Sequence, residues 1–66
     1  MIRPKTKQCI IDQKNKWLTI WFNRPEKRNS LSEILIKEIL KALDFAEKNS
    51  SIRGVIFRGK GNVFCA

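Results

Sequence analysis

The residues most able to do chemistry are the cations of a short loop. Arg24, Lys27 and Arg28 fall within five positions, and a proline between them stiffens the turn. The stretch 23–31 leads into the long helical pattern of the chain, and the sequence Ser-Leu-Ser-Glu predicts a capping box with Ser30 as the N-cap. Cationic side chains and free backbone amides of a helix N-terminus would meet there. The loop therefore predicts an anion site; the alternative is a solvated loop without a specific partner.

Other reactive groups are sparse. The chain has no histidine, and Cys9 and Cys65 lie far apart, so neither a zinc site nor an activated nucleophile is expected. The six carboxylates fall in predicted turns or on the polar face of the predicted helix, where we expect them to be solvated. We expect both cysteines to be free, buried thiols in a reducing compartment. Residues 59–61 (Gly-Lys-Gly) predict a tight turn, since they are too short for a nucleotide-binding loop.

The charge balance favours an anionic partner. The 66 residues carry a net charge of +8, which suits nucleic acid, an anionic membrane surface or a phosphorylated ligand. Trp17, Trp21 and Phe22 could stack on bases, but they lie within an apolar strand and not among cations, which favours core packing. No stretch approaches the roughly 18 to 20 apolar residues of a membrane span, and the N-terminus lacks the apolar core of a secretory signal. A cytoplasmic location is therefore expected.

The elements that must position the loop follow in a simple order. The patterns predict a strand at Gln8–Ile11, a stronger strand at Trp17–Phe22, a helix from Leu31 to about Lys48 and a strand at Gly54–Arg58. Residues 1–7 predict a flexible basic arm. A strand–helix–strand run is typical of a crossover between parallel strands. The sequence thus predicts a small α/β unit.

The second predicted strand is apolar on both faces. Trp17 and Trp21 share one face, whereas Leu18, Ile20 and Phe22 share the other, so the strand needs cover on both sides. One helix covers one side, and a chain of 66 residues leaves little margin for independent stability. We therefore expect residues 8–66 to be the opening part of a larger domain or one piece of an assembly.

Two segments resemble the enoyl-CoA hydratase/isomerase (crotonase) family. Residues 20–31 (IWFNRPEKRNSL) are similar to the family's segment with Asn-Arg-Pro followed by Asn-Ala-Leu. Residues 54–66 (GVIFRGKGNVFCA) are similar to the strand and turn that precede its Gly-Ala-Asp segment. The resemblance covers nearly all of the chain from Gln8 onward. It implies an α/β fold, the opening ββαβ part of a crotonase-like (Clp protease-like) ββα spiral.

The resemblance also implies a function for the loop. The family binds acyl-coenzyme A and stabilises a thioester enolate with two backbone amides, a form of stabilisation that often dominates catalysis. By position, Arg28 would contact the coenzyme A phosphates, with Lys27 as its neighbour. The Ser30 backbone would lie near the pantetheine–nucleotide part, and the carbonyl of Ala66 beside the adenine. Arg24 and the following proline would shape the loop.

Two departures from the family limit what the chain can do. Ser30 stands where the family usually has alanine, a mild change, and the sequence contains neither the Gly-Ala-Asp segment nor the acid–base glutamates expected beyond it. Residues 8–66 would thus be truncated before the oxyanion-hole segment, and no catalytic residue is assigned. The parent protein is expected to be an enzyme, whereas this chain alone is expected to be inactive.

The resemblance implies partners as well. Coenzyme A enters as part of the acyl-CoA substrate, and no tightly bound cofactor, metal, nucleic acid or membrane is expected. The complete protein would act in fatty acid metabolism as a homotrimer or homohexamer. Two alternatives stay open: a small basic module that binds nucleic acid or another polyanion, and a non-catalytic fragment that acts through assembly.

Overall fold

The chain forms a small α/β unit with a mixed three-stranded sheet, as predicted. The computed structural model describes residues 3–62, 64 and 65. Its elements are β1 (Cys9–Lys14), β2 (Trp17–Phe22), a 3-10 turn (Pro25–Lys27), α1 (Glu33–Lys48) and β3 (Gly54–Gly59). In the sheet order β1-β2-β3, β1 pairs antiparallel with β2, and β3 pairs parallel with it. The helix of the β2–α1–β3 crossover thus follows directly from the basic loop.

The first strand is longer than predicted. It runs from Cys9 to Lys14, where the pattern gave Gln8–Ile11, because its pairing with β2 continues to the Lys14–Trp17 pair. Only Asn15 and Lys16 remain in the turn, and Asn15 takes the left-handed conformation (φ 56°) that suits a two-residue hairpin. Polar residues of an edge strand can face water, so their polarity concealed the second half of β1.

The core lies between α1 and one face of the sheet. Leu18, Ile20 and Phe22 of β2 are buried on that face, as the alternation predicted. Helix residues complete the core: Leu35, Ala42, Phe45 and Ala46. On the other face the Trp17 side chain is 53% exposed. Within the described residues, the sheet is therefore covered by a helix on one side only.

The helix begins two residues later than the capping box predicted. Ser32 is the N-cap, and its Oγ accepts from the N–H of Leu35 at 3.0 Å while donating to Oε1 of Gln8 at 2.5 Å. Glu33 is then the first helical residue and not the third, so Ser30 as N-cap was wrong. The physical reason is that the Ser30 carbonyl accepts from the Arg24 guanidinium, which keeps Ser30 in the preceding loop.

One carboxylate is not simply solvated, contrary to expectation. Glu38 is partly buried on α1, and its Oε1 accepts from the N–H of Gln8 (2.7 Å) and of Cys9 (3.0 Å). Both of its oxygens also lie 3.0 Å from the N–H of Lys7. Glu38 thus fastens the start of β1 to the helix, since charge-assisted bonds of this kind are about twice as strong as neutral ones.

The two thiols differ, although both were expected to be buried. Cys9 is free and buried, and burial raises the pKa of its thiol. Cys65 is free and exposed, so the expectation of a buried thiol was wrong there. Its neighbour Phe64 packs against Phe22, with ring centroids 5.0 Å apart, whereas the Cys65 side chain is exposed to solvent. None of the described helices is long and apolar enough to cross a membrane.

Candidate functional site

The basic loop is held in shape by its own hydrogen bonds. In the 3-10 turn, the N–H of Lys27 donates to the carbonyl of Arg24 and the N–H of Arg28 donates to that of Pro25, both at 3.0 Å. The guanidinium of Arg24 donates to the carbonyl of Ser30 at 2.5 Å and closes the loop from within. Arg24 therefore shapes the loop, and the exposed Arg28 side chain is left at its surface.

A buried amide joins this loop to the segment after β3. Asn29 has no exposed surface and takes a left-handed conformation (φ 57°), which Asn adopts more readily than most residues. Its Oδ1 accepts from the N–H of Arg24 at 2.8 Å, and its Nδ2 donates to the carbonyl of Lys60, also at 2.8 Å. The basic loop and the start of the bend at residues 60–62 thus form one connected unit.

The bend itself lies against the loop. The N–H of Lys60 donates to the carbonyl of Phe22 at 2.9 Å and so extends the pairing of β2 with β3. Gly61 has φ +83°, and a Cβ at this position would lie 3.0 Å from the Cβ of Pro25. The bend therefore needs glycine both for its conformation and for its close approach to the proline.

A basic cavity of about 410 Å³ opens between the loop and the bend. Its walls are Pro25, Arg28, Lys60, Gly61 and Asn62. Two of these residues are cations and none is acidic. Among the described residues, the ion pair that forms joins Lys48 to Asp44 on α1 and involves neither cation of the cavity. The described lining therefore carries two positive charges that no ion pair neutralises, which suits a phosphate.

On the outer face of the sheet, the ring of Trp21 contacts Lys60, one of the two cations that line the cavity. The Lys60 Nζ lies 4.0 Å from the centroid of the Trp21 ring, and the guanidinium carbon of Arg58 lies 5.5 Å from it. Both distances are within cation–π range. Aromatic and cationic side chains are therefore in contact on this face, whereas the sequence pattern favoured core packing for Trp21.

The structure brings together only part of the predicted site. Arg28 lines the basic cavity, whereas Lys27 and Ser30 lie in the same loop but outside the cavity wall. The N–H of Ser30 donates to the carbonyl of Lys27 at 3.1 Å. Ala66 lies outside the described residues. In residues 3–62, 64 and 65, no group of three or more potential metal ligands forms.

Two residues of the site were missed in the sequence. Asn29 and Lys60 acquire their roles through a contact between positions 31 residues apart, which no local pattern encodes. The available signal was indirect: an asparagine inside a cationic loop, followed by a helix, often marks a left-handed position.

Comparison with protein families and curated proteins gives consistent matches. The model of the family "Enoyl-CoA hydratase/isomerase" matches residues 12–66. A probable enoyl-CoA hydratase of Mycobacterium bovis is 39% identical over 56 residues, which cover 85% of this chain and 23% of the relative. 3-Hydroxyisobutyryl-CoA hydrolase 1 of Arabidopsis thaliana is 32% identical over 59 residues, covering 89% of this chain and 16% of the relative. The chain thus spans less than a quarter of the length of either relative.

Solved structures match over the same part. An enoyl-CoA hydratase/isomerase from Xanthobacter autotrophicus superposes with a TM-score of 0.91 at 32% identity, over 94% of this chain and 23% of that one. An enoyl-CoA hydratase from Mycobacterium tuberculosis superposes with a TM-score of 0.86 at 38% identity, over 91% of this chain and 26% of that one. The unit formed by β1, β2, the 3-10 turn, α1 and β3 corresponds to the N-terminal part of these structures.

Proposed function

The chain belongs to the enoyl-CoA hydratase/isomerase (crotonase) family, and from this premise we propose that it binds the coenzyme A end of an acyl-CoA thioester. The observation that carries the proposal is the basic cavity, whose described lining includes Arg28 and Lys60 and no acidic residue. Coenzyme A carries a diphosphate and a phosphomonoester, and a guanidinium binds such oxygens through two parallel hydrogen bonds. The relatives include both hydratases and a hydrolase, so the proposal concerns the bound group and not one reaction.

The other predicted contacts form part of the same proposal. Lys27 adds positive charge beside Arg28, and the Ser30 backbone lies near the pantetheine–nucleotide part. We propose, from the family resemblance alone, that the carbonyl of Ala66 contacts the adenine. Because the Arg24–Ser30 bond and the Asn29 bridge fix the loop, its backbone needs little further ordering when the ligand binds.

We extend the proposal to the complete protein. Residues 8–66 form the N-terminal part of a domain that stabilises a thioester enolate with two backbone amides, and residues 1–7 form a basic arm. That enzyme acts in the cytoplasm, in fatty acid metabolism, as a homotrimer or homohexamer. The Gly-Ala-Asp segment and the glutamates that this chemistry requires are not among these 66 residues, so the chain by itself binds without turnover.

The test is calorimetric titration of coenzyme A into the chain and into Arg28→Ala. Loss of an exposed charge-assisted contact is expected to raise the dissociation constant roughly five- to tenfold. Arg53→Ala is the matched control, because Arg53 is also an exposed arginine and lies outside the cavity wall. Circular dichroism confirms that both variants keep the fold. An Arg28→Ala constant equal to that of Arg53→Ala would remove the basis of the proposal.

A further inference from the structure

The basic cavity contains a second cation, and its position is fixed by contacts on two sides. The backbone of Lys60 donates to Phe22 (2.9 Å) and accepts from the Asn29 side chain (2.8 Å). The side chain extends over the Trp21 ring, with Nζ 4.0 Å from the centroid. We infer that Lys60 is a second phosphate-binding residue of this site, and that Trp21 is the residue that positions its ammonium group. The inference rests on the proposed coenzyme A binding.

The two cations of the cavity belong to connected segments of the chain. Asn29 follows Arg28 directly and bonds to the carbonyl of Lys60, so the two cationic residues belong to segments joined by a buried amide. Both line the same cavity of about 410 Å³. In this inference, a phosphate bound in the cavity contacts both the planar guanidinium of Arg28 and the point-charge ammonium of Lys60.

The charge of the cavity wall favours a particular charge on the ligand. Among the described residues, the cavity wall holds two cations and no acidic side chain, which favours groups with more than one negative charge. A phosphomonoester carries about −1.5 to −2 at pH 7, and a diphosphate has a similar total. Coenzyme A offers both kinds of phosphate. The shared chemistry is that of phosphate oxygens, and comparison with dephospho-coenzyme A separates the two sources.

The indole of Trp21 restricts the Lys60 side chain. A free lysine loses much rotamer freedom when it binds a ligand. Contact with the half-buried Trp21 restricts the Lys60 side chain beforehand, and the ammonium keeps donors free because it has three of them. Preorganisation of this kind improves affinity without a new contact to the ligand. Trp21 is therefore a positioning residue that acts through Lys60.

The experiment compares Lys60→Ala with Lys41→Ala, an exposed lysine of α1 with the same charge loss. Coenzyme A and dephospho-coenzyme A are titrated into each variant at one salt concentration. We expect Lys60→Ala to raise the dissociation constant for coenzyme A about tenfold and Lys41→Ala to change it less than about twofold. A loss confined to coenzyme A assigns Lys60 to the phosphomonoester; an equal loss with both ligands assigns it to the diphosphate.

Other outcomes overturn the inference. If Lys60→Ala and Lys41→Ala give the same constants, Lys60 does not bind phosphate; a loss in Arg28→Ala would then still support the proposed function. If Lys60→Ala weakens the binding of a short single-stranded DNA but leaves the binding of coenzyme A unchanged, Lys60 belongs to a nucleic-acid-binding surface. If neither Arg28→Ala nor Lys60→Ala affects coenzyme A, both proposals fall.

A spectroscopic signal tests the role of Trp21. The chain has two tryptophans, so Trp17→Phe leaves Trp21 as the sole indole reporter. Saturation with coenzyme A is expected to change its emission, and the change is expected to vanish when Lys60→Ala is added. Trp21→Leu should weaken binding about threefold, whereas Trp21→Phe, which keeps a ring, should weaken it less. An unchanged emission at saturation, with Lys60→Ala still impaired, would overturn the positioning role.

Discussion

At the scale of single residues, Asn29 has the most consequences for the site. It is a buried polar side chain that bonds to both the basic loop and Lys60, and removal of a buried partner leaves backbone groups unsatisfied. We expect Asn29→Ala to lower the free energy of unfolding by roughly 1 to 3 kcal/mol, measured by urea denaturation. Asn23→Ala is the control, since the bond that Asn23 makes to Gln8 comes from its backbone. Equal stability of the two variants would contradict a connecting role for Asn29.

The two thiols give a second prediction at this scale. Cys9 is buried and the pKa of its thiol is raised, whereas Cys65 is exposed. At pH 8 a disulfide reagent should therefore modify Cys65 rapidly and Cys9 only after unfolding. Burial favours the neutral thiol, so the contribution of Cys9 to the free energy of unfolding is complete below pH 9.0, the ordinary pKa of a thiol. This contribution decreases as the pH rises further. The Cys65→Ser variant isolates the slow thiol. Rapid modification of Cys9 in that variant would show that the N-terminal strand opens.

At the scale of elements, the start of α1 depends on Ser32. Its Oγ caps the helix and bonds to Gln8 in β1, so we expect Ser32→Ala to cost about 1 kcal/mol of unfolding free energy. Ser30→Ala provides the matched control, because the bonds of Ser30 come from its backbone. Urea denaturation followed by circular dichroism measures both. If Ser30→Ala lowered the free energy of unfolding more than Ser32→Ala does, the N-cap would be Ser30, as the sequence predicted.

This cap also shows where sequence patterns stop being sufficient. Both Ser30 and Ser32 precede the helix, and only Ser30 has Glu three positions on, so a local rule chose the wrong serine. The bond from Ser32 to Gln8, 24 positions away, is not visible in a local pattern. By contrast, the strand at Trp17–Phe22 was predicted with its bounds, because aromatic and β-branched residues mark it strongly. Local patterns predicted the helix, the strands and the position of Arg28 in the site. The roles of Asn29 and Lys60 depend on a contact between residues far apart in the sequence, which such patterns do not show.

At the scale of the whole molecule, the apolar surface exceeds what one helix covers. The outer sheet face exposes Trp17, and α1 exposes a second apolar stripe with Ile36 and Leu40. A core of this size rarely supplies more than about 3 to 5 kcal/mol, and exposed apolar patches favour association. The isolated chain should therefore associate as its concentration rises.

Two leucines of α1 separate association from folding. Leu35 is completely buried and Leu40 is 60% exposed, so the same change to lysine should have opposite effects. We expect Leu40→Lys to keep the helical circular dichroism and to shift sedimentation velocity profiles towards the monomer, since it places charge on the exposed stripe. Leu35→Lys should abolish the fold, because an unpaired charge would enter the core. If Leu40→Lys unfolds the chain as Leu35→Lys does, the stripe is already covered in solution by a second copy on which the fold depends.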